Sequence, residues 1–130
     1  MRLSLSLFLC LSPLTAFAQD VDCANQVTQI DMNQCAYQEF EAADAALNRV
    51  YAEAIAFLQA SDREYPPAGE SEEARLRKAQ RAWVAYRDAN CDQAGFQMRG
   101  GSAEPLLVNG CLRFMTEARI AELRSVMQTY

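Results

Sequence analysis

Apolar positions recur along this chain at steps of three and four, the spacing that stacks side chains on one face of a helix. Phe40, Ala43, Leu47, Val50, Tyr51, Ala54 and Leu58 hold that beat, which predicts a first helix from near Thr28 to about Ala60. Thr28 followed three residues later by Asp31 has the form of a capping box, with Asp in place of the usual Glu. Residues 19–27 carry no period and read as a lead-in. Ser61 to Glu70 contains Pro66-Pro67 and Gly69, which stop a helix and make a loop. Ser71 suits the cap of a second helix, Glu72-Glu73 suit its positive end, and the pattern carries it to about Gln97. Gly100-Gly101-Ser102 is a turn, and Pro105 fits the first turn of a third helix. Val108, Cys111, Met115 and Ala118 share one face there, while Leu112, Ile120, Leu123 and Met127 extend the apolar band. Strand signals are absent. The expected fold is all-α, three antiparallel helices with the first one long.

The second helix has an unusual seam. Leu76, Gln80, Trp83 and Arg87 fall on one face, and Leu76, Ala79, Trp83, Tyr86 and Asn90 on an overlapping one. Apolar bodies alternate with polar tips, so this helix is expected to be central, with Trp83 and Tyr86 in the core beside Leu47, Tyr51 and Gln80. In the first hairpin, residues at one level have numbers adding to about 131, because both helices rise about 1.5 Å per residue. Asp44 then stands level with Arg87, and Leu47 close to Trp83. Asp44 lies between Phe40 and Leu47 on the apolar face, where a carboxylate needs a partner, and Arg87 is at the right height for a structural ion pair.

The N-terminus changes the reading of the cysteines. Met1-Arg2 followed by Leu3 to Leu11 reads as a charged start and an apolar run, with Ala16-Phe17-Ala18 as a small-x-small cleavage signal. A signal peptide over 1–18 is expected, with the domain over 19–130. The run is too short to span a bilayer, so no membrane insertion is expected after its removal. Cys10 leaves with it. Cys23, Cys35, Cys91 and Cys111 remain, an even number in an exported chain, which suggests two disulfides. In the second hairpin Cys91 and Cys111 are out of level by about two residues, or 3 Å of rise, which suits a bridge. Cys23 and Cys35 then close a local loop. The rival Cys35–Cys91 is about five residues out of level.

Charge and composition narrow the function. The chain has 12 basic and 17 acidic residues and no histidine; loss of Arg2 leaves a balance of about −6, which disfavours nucleic acid and anionic membranes as partners. A catalytic site needs a nucleophile with its base, or an acid and a base with separated pKa values. Without histidine, and with the thiols assigned to disulfides, no catalytic residue, metal site or cofactor is expected.

The mature chain resembles the lysozyme-inhibitor LprI-like family of small exported bacterial proteins. Cys23 with Met32-Asn33-Gln34-Cys35-Ala36, then Ala43 to Asn48 with Tyr51, carry the likeness at the front. Ala79 to Trp83, Tyr86 to Ala89, Cys91, Gly101-Ser102, Cys111-Leu112 and Thr116 with Arg119 and Leu123 continue it in order. The resemblance implies a periplasmic or secreted helical module and suggests that it inhibits lysozyme. Lysozymes are generally basic and bear carboxylates in a sugar-binding cleft, so an acidic partner would be steered toward one. Two exposed features offer donors for such a contact: the loop with Arg63 and Tyr65, and the turn with Arg99 and Ser102. Each reads first as a plain connector. The alternative is a structural or protein-interaction module of the envelope with no action on lysozyme.

Overall fold

The first residue after Thr28 that an α-helix cannot absorb is Pro66, and the chain uses nearly all the length this allows. In the structure, a computed structural model, residues 21–128 are described. Helix α1 covers Gln29–Glu64, α2 covers Glu72–Ala94, and α3 covers Glu104–Val126, with a short 3-10 helix at Gly95–Met98 between the last two. No strand occurs among the described residues. The expected leader over 1–18, with its cleavage signal and Cys10, lies outside them.

Local chemistry sets the helix ends. The Thr28 hydroxyl accepts from the Asp31 backbone N–H, and the Asp31 carboxylate accepts from the Thr28 backbone N–H, closing the capping box. At the far end α1 overruns its expected limit near Ala60 by a turn. Ser61 to Glu64 contains no breaker, and it is Tyr65, forced out of helical backbone by the proline after it, that stops the helix. The Ser71 hydroxyl caps α2 by accepting from the Ala74 N–H. Asp62, on the overrun turn of α1, accepts from the N–H groups of Glu72 and Glu73, both at 3.1 Å. The extra turn therefore supplies a second cap and a counter-charge at the positive end of α2.

The helices alternate in direction, so α3 runs parallel to α1. The Asn33 side chain donates to the Ser102 carbonyl at 2.8 Å, and Glu39 lies 3.5 Å from Arg113, which fixes that register. The apolar core lies toward the α1–α2 loop. It joins Leu47, Val50, Ala54, Ile55 and Leu58 of α1 with Leu76 of α2 and with Ile120 and Leu123 of α3. This corrects one expectation, because α2 is not the central helix. The broadest packing is α1 against α3, and the buried residues of α2 are Leu76, Gln80, Arg87 and Cys91. A seam that is half polar cannot supply the apolar area that would draw two neighbours around it.

The other end is held covalently. Cys23 is bonded to Cys35, and Cys91 to Cys111. The first bond ties the lead-in to α1 and the second ties α2 to α3. Gly95 follows at the point where the chain swings onto α3. A Cβ there would come within 2.6 Å of a Val108 methyl, so the glycine permits the close approach.

Non-reducing peptide mapping should recover Cys23–Cys35 and Cys91–Cys111; a Cys35–Cys91 peptide would contradict the register. The loops span 12 and 20 residues, and replacing either pair with alanines should remove about 3 kcal/mol of stability, read from denaturant unfolding.

A pH profile tests the caps. The Thr28 backbone N–H, with its hydroxyl, holds the Asp31 carboxyl below its ordinary 3.8. The Asn25 side-chain amide and then the Ala24 N–H do the same for Asp22. Arg77, followed by Gln59, lowers Glu73 from 4.5. Each folded value lies below the unfolded one, so the stabilisation is complete above the ordinary carboxylate values and is lost as pH falls through the folded ones. With no histidine in the sequence, the melting temperature should stay level between about pH 5.5 and 8. It should then decline below about pH 4, by small steps, because solvent screens these exposed groups.

Candidate functional site

Asp44, Arg87 and Thr116 come from three different helices and meet at one guanidinium. Arg87 Nη1 donates to Asp44 Oδ1 at 2.8 Å and to Thr116 Oγ1 at 3.2 Å, and Nε donates to Asp88 Oδ1 at 2.9 Å. The Arg87 side chain is only 9% exposed while that of Asp44 is 35% exposed. The pair is thus buried on one side and half-wet on the other. Asp44 is itself held, since Asn48 Nδ2 donates to its second oxygen at 3.1 Å one turn along α1. The flat faces of the guanidinium meet rings: its carbon lies 5.4 Å from the Phe40 centroid and 5.2 Å from that of Trp83.

Trp83 also receives a second cation. The Arg119 guanidinium lies 5.8 Å from the indole, while its Nε donates to the buried Gln80 at 3.0 Å and its Nη1 meets Glu122 at 2.7 Å. The seam from Gln80 to Arg87 is therefore a ladder of polar groups and rings shared with α1 and α3. Its buried donors and acceptors have partners, as groups removed from water require. In the sequence, Thr116 and Arg119 are marked only by the family likeness. A Thr amid apolar neighbours at this helical spacing was the available signal for a buried acceptor. Asn33 likewise carries no signal of its role, and a contact across a Pro-Pro loop, such as that of Asp62, leaves no periodic trace.

The expected core residues divide. Leu47 and Gln80 are buried, and Tyr51 and Trp83 are partly buried, both packed on the core cluster. Tyr86 is instead 61% exposed. Once α2 turns Gln80 and Arg87 inward, a residue one position before Arg87 is rotated about 100° away from the seam.

The candidate contact residues lie at opposite ends of the bundle. Arg63 is exposed in the last turn of α1, and Tyr65 follows it, 72% exposed. Arg99 lies 5.3 Å from the Phe96 ring and 3.8 Å from Asp92. Ser102 is exposed, and its carbonyl is held by Asn33. Since α2 alone spans about 35 Å, the structure does not bring the two groups together. Shallow open grooves flank the loop end, one of about 420 Å³ between the start of α2 and the end of α3. Another, of about 500 Å³, lies beside Tyr65. No cluster with the makings of a metal site occurs among the described residues.

Over residues 22–123 the chain matches the family model described as "Lysozyme inhibitor LprI". It is 47% identical over 134 residues to "Uncharacterized protein R02472" of Rhizobium meliloti (strain 1021), which takes in 97% of this chain and 94% of that one. It is similar over a shorter stretch to "Uncharacterized protein YecT" of Escherichia coli (strain K12), 34% identical over 62 residues, or 47% of this chain and 38% of the other. No solved structure matches it. The chain belongs to the lysozyme-inhibitor LprI family, and the matched span contains both disulfides and every residue of the Arg87 cluster.

Asp44→Ala should destabilise the protein by about 2 kcal/mol, because a buried guanidinium loses its carboxylate but keeps Asp88, Thr116 and two rings. Arg87→Lys should also be costly, since an ammonium cannot fill three acceptors in a planar fork. Replacing Asp44 with Leu and Arg87 with Met together should cost less than the two single losses combined. Denaturant unfolding of the double variant beside the single Asp44→Leu and Arg87→Met variants checks this, and strictly additive losses would contradict the coupling.

Proposed function

We propose that this member of the LprI family is an exported, disulfide-stabilised binding module that inhibits a lysozyme in the bacterial envelope. The observation that carries the reading is the family match across 22–123, which takes in nearly the whole helical bundle. Two disulfides suit an oxidising compartment. No helix among the described residues is long and apolar enough to cross a membrane. The acidic balance suits encounter with a basic enzyme, although charge alone sets the approach and not the block.

The mode of action is occlusion. Inhibition without chemistry needs a rigid surface that enters or covers the sugar-binding cleft and loses little freedom in doing so. The helices supply rigidity, and each end of the bundle offers a short exposed feature on a restrained backbone. The Arg63–Tyr65 end rests on Asp62 and the cap of α2, and the Arg99–Ser102 end on the Cys91–Cys111 bond and Asn33. Because the two ends point in opposite directions, a one-to-one complex engages only one of them.

A cell-wall lysis assay with titrated mature protein tests the reading. Inhibition should saturate near one-to-one stoichiometry and weaken, without vanishing, as salt rises. An unrelated acidic helical protein should have no effect. If excess folded protein leaves lysis unchanged at low salt against several lysozyme classes, the family activity is absent here. The chain is then an envelope module for a different protein partner.

A further inference from the structure

One helix edge is left uncovered at the disulfide end. Asp44, Glu41, Tyr37 and Ile30 fall at helical steps along a single stripe of α1, the stripe that meets α2 through Asp44 and Arg87. Counting from that contact, Tyr37 stands level with about residue 94 of the antiparallel helix, and Ile30 lies beyond it. Residue 94 is where α2 ends. The chain then swings onto α3 at Gly95, where it packs too tightly for a side chain. Nothing from α2 remains to cover the stripe, and Ile30 is 75% exposed and Tyr37 50% exposed. The 3-10 helix that makes the swing adds Phe96, 65% exposed, and Met98, 48% exposed. Asn33 ties α1 to the turn that follows the 3-10 helix by its bond to the Ser102 carbonyl.

The charge around this edge is predominantly acidic, although Arg99 stacks on Phe96 and lies 3.8 Å from Asp92. From Val21 to Asn48 the chain carries Asp22, Asp31, Glu39, Glu41 and Asp44 and no Lys or Arg. On α2, Asp88 lies at the α1 edge through its bond to Arg87, and Asp92 follows one turn on with its side chain 78% exposed. The loop end differs. Between Arg49 and Arg87 basic and acidic residues are nearly balanced, Arg75 pairs with Glu72 at the groove there, and Arg77 pairs with Glu73 nearby. Exposed aromatic and aliphatic side chains within an acidic border are the complement of a cationic surface with an apolar recess.

The geometry points to this edge, formed by Ile30, Tyr37, Phe96 and Met98 and bordered by Glu41, Asp88 and Asp92, as the surface that docks the basic lysozyme. The assignment rests on the inhibitor reading and selects the disulfide end over the Arg63–Tyr65 end. Apolar side chains supply the buried centre of the contact, and the carboxylates supply approach and orientation.

The test uses the mature protein and a lysozyme that the unaltered protein inhibits, with affinity and association rate measured at low and high salt. Ile30→Ser with Phe96→Ser should weaken binding by about tenfold or more. Glu41→Lys with Asp92→Lys should slow association at low salt and approach the unaltered rate at high salt. Arg63→Ala with Tyr65→Ala should stay within about twofold. Thermal melts establish that each variant is folded, and the charge-reversed pair stands in if the serine pair is not. If the unaltered protein inhibits and only the Arg63–Tyr65 variant loses affinity, the docking assignment is wrong and the inhibitor reading stands. If the unaltered protein inhibits no lysozyme, both fall.

Discussion

Arg87 must lose most of its water for α1, α2 and α3 to come together, and much of the middle of the bundle is arranged around that requirement. A buried guanidinium is tolerated when its fork is filled and its faces are covered. Asp44, Thr116 and Asp88 fill the fork, and Phe40 and Trp83 cover the faces. The requirement spreads outward from there. Asn48 holds Asp44, and the ring of Trp83 also carries Arg119, which satisfies Gln80. Such a cluster adds little net stability over a well-packed apolar alternative. Its effect is on register, because Asp44 and Thr116 can reach one guanidinium only at one axial setting of each helix.

That setting divides the bundle along its length. Toward the α1–α2 loop the apolar cluster of Leu47 to Leu58 with Leu76, Ile120 and Leu123 holds the helices by burial. Beyond Arg87 the buried apolar set thins to Cys35, Ala36 and Cys91, and disulfides take over. A domain of this size has limited core to spend, and covalent closure lowers the entropy of the unfolded chain where burial is scarce.

The same division explains why the two ends offer different surfaces. At the loop end Asp62 and Ser71 consume the free N–H groups of α2, and neighbouring charges close on each other. At the disulfide end α2 stops before α1 does, which leaves apolar side chains outside the bundle in an acidic setting. A rigid, predominantly acidic and partly apolar end suits the docking proposed above.

Most of the helix plan was legible in local chemistry. The capping box at Thr28 and Asp31, the Ser71 cap, the Pro-Pro loop and the pairing of Cys91 with Cys111 depend on residues near in sequence or on simple helical rise, and the family resemblance was carried by residues in the right order. The level of Asp44 against Arg87 followed from the same arithmetic. Other features depended on what a distant segment presents. Leu76 and Trp83 belong to two overlapping faces of α2, and period alone did not say which one turns inward. The polar partners on α1 and α3, acceptors for Arg87 and a donor for Gln80, chose the face with Gln80 and Arg87, which sent Tyr86 into solvent and denied α2 the central place. Asp62 became a cap only because the loop folds α2 back over it, and Ile30 became exposed only because Gly95 takes the chain away toward α3. Spacing sets which side chains share a face, but burial is a property of the partner that covers it, and that partner exists only in the folded chain.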